Sequence, residues 1–516
     1  MPNRTIKSRP KKFSSHSSRI PKGGAKSDFW KKERERVLVE LFQRTAKKIP
    51  AYGKFLKKHN ILPSSIRTYA DFLRVPSVSK DNYLRAYPWQ EFCTPQAFAK
   101  DPLVLTATSG STGNPFYFPR DPSIDVHSSM YHELFLKNSA PSVKGNGSTL
   151  VIVCFGMGVW VGGIITYQAF HLLAEQGHPL TILTPGINKK EIYSAMRNVA
   201  PAYDNVILCG YPPFMKDVVD EAKEHGVNWK KHNIRVVFAA EAFSEKFRDY
   251  VMKKMGITDV YRDTANIYGS ADLGTMAMET PLCILIRRLS LKLKRNNSQL
   301  YHKLFGTANR LPTLVQYIPH FVSFESHERS IYCSGDNALP LVRYEIGDNG
   351  GTHDYADIER IFKEEGLDLR ALAKEAGIAD TLQELPFVYV YERTDLSTKL
   401  YGAIIYPEYI KAGLFHNHLV KHVTGKFTLF TRHDELQNEY LEVNVELKKG
   451  ITATPKLKKT VIKHVTDALL KLSEEYRNNA SMMPEKVVPK VVFWPHEHPT
   501  HFQVGTKQKW VKKLVA

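Results

Sequence analysis

One short stretch of the sequence consists of small and hydroxyl-bearing residues. In TATSGSTGNPFYFPR, which runs from Thr106 to Arg120, the positions from Thr106 to Gly113 are Ser, Thr, Gly or Ala. Consecutive backbone N–H groups and hydroxyls in such a loop can curl around an anion, usually a phosphate. A Walker A loop would require Lys and Ser/Thr after Gly113, where this chain has Asn114 and Pro115. The loop is therefore either a phosphate cradle of another kind or a flexible turn.

The pattern T-S-G-S-T-G-x-P resembles the phosphate-binding signature of the adenylate-forming superfamily, the AMP-binding enzymes that include acyl-CoA synthetases. Further segments follow in the order that this family has them. FAAEAF (238–243) resembles a G-A-E-like adenine turn, and NIYGSADLG (266–274) resembles the Y-G-x-[ST]-E motif. LPLVRYEIGD (339–348) resembles the P-x-x-R-Y-x-x-G-D motif. YERTDLSTKLYGAIIYPEYI (391–410) resembles the G-R-x-D hinge, and VGTKQKW (504–510) resembles the catalytic-lysine loop.

The resemblance implies a binding site for ATP. The Ser/Gly loop would hold the β- and γ-phosphates, and the adenine would lie between the turn after residue 239 and the strand end at 268. An aspartate would accept hydrogen bonds from both ribose hydroxyls, since an ionised carboxylate has only acceptors. Asp395 would be the hinge. The implied nucleotide-binding residues are Thr108, Ser109, Gly110, Ser111, Thr112, Gly113, Ala240, Glu241, Tyr268, Gly269, Ser270, Asp348 (the ribose ligand) and Arg393.

Adenylation brings a carboxylate to the α-phosphate of ATP, so the protein must supply positive charge where two anions meet. The resemblance assigns this role to Lys507, with Lys509 as its rival. ATP implies Mg²⁺, and Asp272 stands where the family has a glutamate ligand, which makes it a catalytic and metal-binding candidate. The chain departs from the family pattern at Ala271-Asp272, and at Phe116, where a lysine or arginine usually follows the proline.

Within the superfamily, IPAYGKFLKKHNI, TYADFLRVPSVSKDNYLRAYP and YGAIIYPEYI resemble phenylacetate–CoA ligases and their capsule-biosynthesis (CapK-like) relatives. The implied function is an ATP-dependent, AMP-forming ligase that converts a small-molecule carboxylate to an acyl-adenylate and transfers it to a thiol, with coenzyme A as the expected co-substrate. A relative that uses an amine, hydroxyl or carrier protein in polysaccharide or natural-product tailoring would share the first step. The departures at 116, 271 and 272 favour a second class, a catalytically degenerate nucleotide-binding protein with basic nucleic-acid or membrane-binding surfaces.

An acyl pocket is expected near CFGMGVWVGG (154–163) and GYPPFM (210–215). Trp160, Phe155 and Phe214 are candidates to line it, although aromatic residues beside strands are more often part of the core. The histidine-rich segments HNHLVKH and HEHPTHF lack a fitting second half of a metal site, and we interpret them as surface histidines.

The elements that must position these residues can be outlined from the pattern. TLVIVCFG, PLTILTP, NVILCGY and IRVVFAAE are short apolar runs separated by helical stretches, which predicts a largely parallel α/β core. After Tyr391 an alternating strand pair and the helix TPKLKKTVIKHVTDALLKLSEEYRNN indicate a small α+β unit. The expected fold class is α/β, with a large multi-subdomain N-terminal adenylation domain and a small mobile C-terminal lid. The predicted domains are a basic disordered tail over 1–27, the adenylation domain over 28–391 with insertions near 284–330 and 351–384, and the lid over 392–516.

The charge of the chain is strongly basic. It has 516 residues, a net charge of +20 and 43% hydrophobic residues, which is enough for two to four domains. Residues 1–27 contain eight Lys/Arg and no acid, and 281–324 is also free of acids. The first is a solvated tail or a contact for an acidic partner. The second could lie on an anionic membrane surface or cover a polyanion site. Nucleic acid is not an expected partner, and the oligomeric state is left open.

The compartment can be predicted from cysteines and apolar runs. The five cysteines are scattered and form no CxxC pair, so neither a disulfide framework nor a cysteine zinc site is expected. No apolar run approaches the length of a membrane span, and the start of the chain has no signal-like apolar region. A reducing cytoplasm fits these features.

Overall fold

The structure is a computed structural model. It describes residues 25–107, 116–139, 147–158, 161–293, 298–306, 311–391, 398–414, 418–419, 421–499 and 501–502.

The first hundred described residues form helices and a hairpin. From about Asp28 apolar residues recur three and four positions apart, which is typical of a helix, and the structure has one there. It ends before Pro50, since a proline lacks an N–H and holds the preceding Ile49 in an extended conformation. Pro50 then begins the next helix. The elements are α1 (Ser27–Lys48), α2 (Pro50–Lys58), α3 (Tyr69–Phe72), α4 (Ala97–Lys100), β1 (Val104–Ala107) and β2 (Tyr117–Arg120), with β1 antiparallel to β2.

A sheet of eleven strands forms the centre of the molecule. The four apolar runs predicted as strands are confirmed as the first four strands named below, beginning at Thr149, and they pair in parallel. Their side chains are mostly buried, because helices cover a parallel sheet on both faces. The strands are β3 (Thr149–Cys154), β4 (Leu180–Leu183), β5 (Asn205–Gly210), β6 (Asn233–Ala239), β7 (Thr264–Ser270), β8 (Gly274–Met278), β9 (Thr313–Gln316), β10 (Val322–His327), β11 (Ser330–Gly335), β12 (Leu341–His353) and β13 (Phe387–Tyr391).

The strand order in this sheet is β10-β11-β12-β13-β9-β8-β7-β6-β5-β3-β4. Strands β3 to β7 are parallel, whereas β8 to β13 pair antiparallel, so the predicted parallel core is half of a mixed sheet. The helices beside the parallel half are α5 (Ser123–Lys137), α6 (Val161–Glu175), α7 (Lys189–Asn198), α8 (Pro212–Glu221) and α9 (Glu245–Met255).

Strand β12 joins two parts of the sheet. Its first half, up to Asn349, pairs with β11, and its second half pairs with β13. A Cβ at Gly350 would lie 1.9 Å from the carbonyl oxygen of Tyr389, so only glycine allows the backbones to approach this closely. The N-terminal helices pack their apolar side chains, including Phe42 and Phe55, against β10 to β12.

The acid-free segment over 281–324 is largely internal. Its leucines and isoleucines pack in a core of their own, and Leu291 is the exposed exception at 41% among the described residues of its first helix. Arg287 is buried and pairs with Glu245 and Glu279. The predicted contact with an anionic membrane stays a prediction, but the apolar side chains that suggested it face the protein interior. The helices are α10 (Pro281–Leu293), α11 (Ser298–Phe305), α12 (Tyr355–Glu364) and α13 (Leu369–Glu375), of which the last two occupy the expected helical insertion.

The remaining chain forms an α+β unit, as the alternating pattern predicted. One expectation is corrected: the helix predicted over 454–479 is two helices, because the Ser473 hydroxyl caps the second helix by accepting from the Tyr476 N–H. The sheet order is β16-β17-β18, and β17 and β18 are parallel. The elements are β14 (Thr398–Leu400), β15 (Ala403–Ile405), α14 (Pro407–Leu414), β16 (Val423–His433), β17 (Glu439–Leu447), α15 (Pro455–Leu472), α16 (Glu474–Met482), α17 (Pro484–Val487) and β18 (Lys490–Trp494).

The hydrophobic core of this unit is continuous with that of the parallel sheet. Side chains of β14 to β18 and α15 belong to the same buried cluster as side chains of α8 and α9. The two parts therefore share one apolar interface in the arrangement described here.

Candidate active site

Two of the residues implied to bind the nucleotide meet directly. The Tyr268 hydroxyl, near the end of β7, donates to Oδ2 of Asp348 in β12 at 2.6 Å. Both side chains are partly buried. Asp348 lies in the half of β12 that pairs with β11, and its side chain reaches the end of β7.

The residues after Tyr268 form a tight turn. A Cβ at Gly269 would lie 2.6 Å from the carbonyl oxygen of Gly274, so this position requires glycine. The Ser270 hydroxyl accepts from the Leu273 N–H at 3.2 Å and so shapes the turn. Asp272 lies within this turn.

Asp272 is almost completely buried, with 3% of its surface exposed. Its Oδ2 accepts from the Tyr344 hydroxyl at 2.9 Å, and the Nζ of Lys80 lies 4.0 Å from the same oxygen. A buried carboxylate of this kind is stabilised by a cation and a hydrogen-bond donor.

The side chains around Asp272 show which ligand groups the protein offers to Mg²⁺. Among the described residues, no group of three His, Cys, Asp or Glu lies close enough to hold a metal ion. Magnesium beside ATP usually takes one or two carboxylates and completes its shell with phosphate oxygens and water. Asp272 offers one carboxylate of this kind, and Lys80 is a cation already beside it.

The predicted adenine turn has a strained backbone. Ala240, directly after β6, has a φ of 74°, in the left-handed region that residues other than glycine rarely adopt. Its carbonyl oxygen accepts from the Nζ of Lys399 in β14 at 2.8 Å. Glu241 is buried. Strain of this kind often accompanies a binding site, where the surroundings hold the backbone in place.

The other implied site residues lie outside the described part of the chain. They are the loop residues Thr108 to Gly113, Arg393 and Lys507. The base of the loop is described, since β1 and β2 flank it. The Trp89 indole N–H donates to the Tyr117 carbonyl at 2.7 Å, and Phe116, where the family has a cation, packs against Phe92 and Phe118.

The sequence motifs assign no role to Lys80, which lies in the segment TYADFLRVPSVSKDNYLRAYP. The Ser79 side chain accepts from the backbone N–H of Asn82 and so caps the short helical turn 80–84. This cap places Lys80 at the first position of the turn. Val78 pairs in parallel with Tyr344, the residue whose hydroxyl reaches Asp272. The proximity of Lys80 to Asp272 depends on this long-range pairing, which leaves no periodic signal in either segment.

The aromatic residues proposed for an acyl pocket are part of the core where they are described. Phe155 and Phe214 are buried to 1% exposure in two hydrophobic clusters, and Trp160 lies outside the described residues. Tyr211, in the second of these segments, has its ring edge-on to Phe155 at 5.1 Å. Burial raises the pKa of Tyr211 to about 12, so its hydroxyl stays protonated at neutral pH.

A second, partly buried carboxyl interacts with the lysine that reaches the adenine turn. Glu475, in α16, accepts from the Ile404 N–H at 2.6 Å. Burial raises the pKa of Glu475 to about 7, and the charge of nearby Lys399 opposes that rise. Lys399 therefore acts on the charge of this carboxyl and also donates to the Ala240 carbonyl.

The histidines and cysteines form no chemical centre in the described ranges. His498 and His501 pack against Trp494, the latter stacked at 3.8 Å. All five cysteines are described, and each is buried as a free thiol. Within the same ranges, no helix is long and apolar enough to cross a membrane.

Comparison with known proteins gives one curated sequence relative. No family model matches the chain. Phenylacetate–coenzyme A ligase of Escherichia coli (strain K12) is 23% identical over 220 residues, which are 41% of this chain and 46% of that enzyme. The chain thus matches about half the length of this relative.

Solved structures match over much more of the chain. 2-Hydroxyisobutyryl-CoA ligase in complex with 2-HIB-AMP and CoA in the thioesterification state aligns with a TM-score of 0.60 at 14% identity, over 93% of this chain and 90% of that one. The same enzyme in the postadenylation state with R3-HIB-AMP gives 0.50 at 14% identity and equal coverage. An open conformation with 2-HIB-AMP and CoA gives 0.51 at 15% identity, over 93% and 92%. The predicted fold and the resemblance to adenylate-forming CoA ligases are confirmed.

Proposed function

We propose that this protein is an ATP-dependent, AMP-forming ligase that activates a carboxylic acid as its acyl-adenylate and transfers the acyl group to a thiol, with coenzyme A as the acceptor. The observation that supports it most is the convergence of Tyr268, Asp348, Asp272 and Lys80, which come from three distant segments. The similarity to acyl-CoA ligases supports the same reaction.

In the first step, a carboxylate oxygen of the acid attacks the α-phosphorus of ATP and pyrophosphate leaves. Asp348 would accept hydrogen bonds from the ribose hydroxyls, and the Tyr268 hydroxyl would hold that carboxylate in orientation. The adenine would lie by Ala240 and Glu241, and the loop from Thr108 to Gly113 would donate to the phosphates. Arg393 would add a cation near the nucleotide.

Charge neutralisation is the main demand of this step. Lys80 is a described cation beside the predicted phosphate region, and its side chain is 36% exposed, so its ammonium group can face a ligand. Lys507 would approach the α-phosphate and the attacking carboxylate from the C-terminal segment. Magnesium, bound by Asp272, would neutralise phosphate charge when present.

In the second step, the coenzyme A sulfur attacks the acyl carbonyl carbon, AMP leaves, and the thiol proton passes to solvent. The chain aligns better with the thioesterification state of 2-hydroxyisobutyryl-CoA ligase than with its postadenylation state at equal coverage. This favours an assignment of the described arrangement to the thioester-forming state.

Carboxylate-dependent exchange of pyrophosphate into ATP tests the first step. The assay uses a panel of acids that includes phenylacetate and 2-hydroxyisobutyrate, followed by coenzyme A-dependent release of AMP. Exchange with at least one acid, and its loss in Asp348→Asn, is the expected result. Nucleotide binding without exchange by any acid would favour the non-catalytic alternative, and no nucleotide binding would overturn the proposal.

A further inference from the structure

An ion pair between a buried carboxylate and a partly exposed lysine joins the first part of the chain to the last. Asp217 lies in α8, and its side chain is 1% exposed. The Nζ of Lys486, in α17, donates to Oδ1 of Asp217 at 3.2 Å. Residues 269 positions apart in the chain therefore form a charge pair inside the interface between the parallel-sheet part and the C-terminal unit.

Two further polar contacts cross the same interface. The Nζ of Lys216, itself buried, donates to the Asn438 side-chain oxygen at 2.9 Å. The Nζ of Lys399 donates to the carbonyl of Ala240 at 2.8 Å. Each contact links a residue before position 392 to one after 397, and the second reaches the predicted adenine turn.

The surroundings of Asp217 make it depend on the C-terminal unit. Burial raises the pKa of Asp217, and the charges of Lys486 and Lys189 oppose the rise. The Tyr401 hydroxyl also faces it: burial, then the charge of Asp217, raises the pKa of Tyr401. Lys486 and Tyr401 both belong to the C-terminal unit, so a rotation of that unit would separate them from Asp217.

A charged carboxylate that is buried without its cation raises the free energy of the protein strongly. The same carboxylate exposed to water carries no such cost, because water solvates its charge. The paired arrangement is therefore stabilised by Lys486, and a rotated arrangement would be stabilised by hydration of Asp217. Loss of Lys486 would leave Lys189 as the cation acting on Asp217, and it would weaken the described arrangement relative to the rotated one.

We propose that the Asp217–Lys486 pair selects the domain arrangement described here, and that these two residues are positioning residues for thioester formation. The inference rests on the proposed function. This inference extends the proposed function, because it names the two groups that hold the domain arrangement in which the acyl-adenylate would meet the thiol.

The two half-reactions separate a positioning role from a merely structural one. In Lys486→Met, single-turnover transfer from acyl-adenylate to coenzyme A is expected to slow about tenfold or more, while pyrophosphate exchange, measured with phenylacetate and 2-hydroxyisobutyrate, stays within about twofold. Asp217→Asn combined with Lys486→Met removes both charges and is expected to restore most of the transfer rate. Lys463→Met is the matched control, since Lys463 pairs with Asp467 on the exposed face of α15.

A distance measurement tests the arrangement without any substrate. Spin labels at Lys223→Cys in the first part and Lys459→Cys in the C-terminal unit occupy exposed positions, and the five native cysteines are buried. A single main distance is expected with the native pair, a second population in Lys486→Met, and its disappearance in the double variant.

Each outcome decides something. If the wild type exchanges no pyrophosphate, the proposed function fails, while the spin-label distances still test the ion pair. If exchange is normal and Lys486→Met alters neither transfer nor the distances, the positioning inference is overturned. An equal loss of both half-reactions in Lys486→Met, without a second distance population, would also overturn it, because that result indicates general destabilisation.

Discussion

The hydroxyl of Tyr268 donates to a carboxylate oxygen of Asp348 at 2.6 Å, across 80 positions of sequence. The two residues come from different motifs, one at the end of a strand in the parallel half of the sheet and one in the long β12 strand. A carboxylate held in this way is oriented before any ligand arrives, which lowers the entropic cost of binding a diol.

Replacement of Asp348 by Asn should weaken ATP binding about ten- to hundredfold, because hydrogen bonds to a charged group contribute about 1.5–3 kcal/mol. Tyr268→Phe removes only the orienting hydrogen bond, and a smaller loss of a few fold is expected. Titration of the nucleotide measures both effects, with the exposed Asp467→Asn as control. Equal affinities in wild type and Asp348→Asn would contradict the ribose role.

Lys80→Met should reduce pyrophosphate exchange by about tenfold or more, since it removes a positive charge 4.0 Å from Asp272, in the region where phosphate charge is expected. Lys80→Arg should recover part of the rate. Lys54 lies in the same N-terminal region but pairs with Glu91 at the surface, so Lys54→Met serves as the control. A normal rate of pyrophosphate exchange in Lys80→Met would show that Lys80 has no role in the first step and serves only to pair with Asp272.

The C-terminal lysines can be told apart by the same assay. Lys507→Ala should abolish pyrophosphate exchange, because the family motif assigns the developing charge at the α-phosphate to this position. Lys509→Ala should keep exchange within a few fold. Reversed results would transfer the role to Lys509, and full exchange in both variants would exclude this segment from the first step.

Glu475 should make the stability of the protein depend on pH. Its folded pKa of about 7 lies above the ordinary value of 4.5, so the folded state holds a proton that the unfolded state has released. The stabilising effect is complete below about pH 4.5 and is lost as the pH rises through 7, by at most about 3 kcal/mol.

Denaturant unfolding of wild type and Glu475→Gln at several pH values between 5 and 8 measures this effect. The neutral amide can still accept from Ile404, so the variant should lose less stability than the wild type as the pH rises. Parallel pH profiles for the two proteins would show that the carboxyl does not titrate in this range.

Sequence patterns predicted the elements better than the contacts between them. The apolar runs of β3 to β6 identified the parallel strands, because a strand buried on both faces must be apolar throughout. The same logic could not decide what α10 packs against, since an amphipathic helix looks alike whether its apolar face meets lipid or, as in the structure, α11 and α12.

The residues of the candidate site also fall into those that sequence motifs predict and those that only long-range contacts reveal. Tyr268 and Asp348 were implied by motifs, and the structure brings them together. Lys80 and Lys399 could not be assigned, because each reaches its partner through pairing between distant segments and not through local spacing. Ser473 was overlooked as a helix boundary, since serine is compatible with a helix interior as well as with a cap.

The pairing of Val78 with Tyr344 has a consequence for any exchange of parts between this protein and its relatives. The backbone of Val78 donates to the Arg343 carbonyl and accepts from the Glu345 N–H. The Arg343 side chain also donates to the carbonyls of Leu73 and Val75, so the amino-terminal segment and β12 are joined through main-chain atoms. A hybrid that takes its first hundred residues from another ligase would keep this junction only if both partners retain the same backbone path. We therefore expect working hybrids to be joined after β2, with the β12 strand transplanted together with the amino-terminal piece.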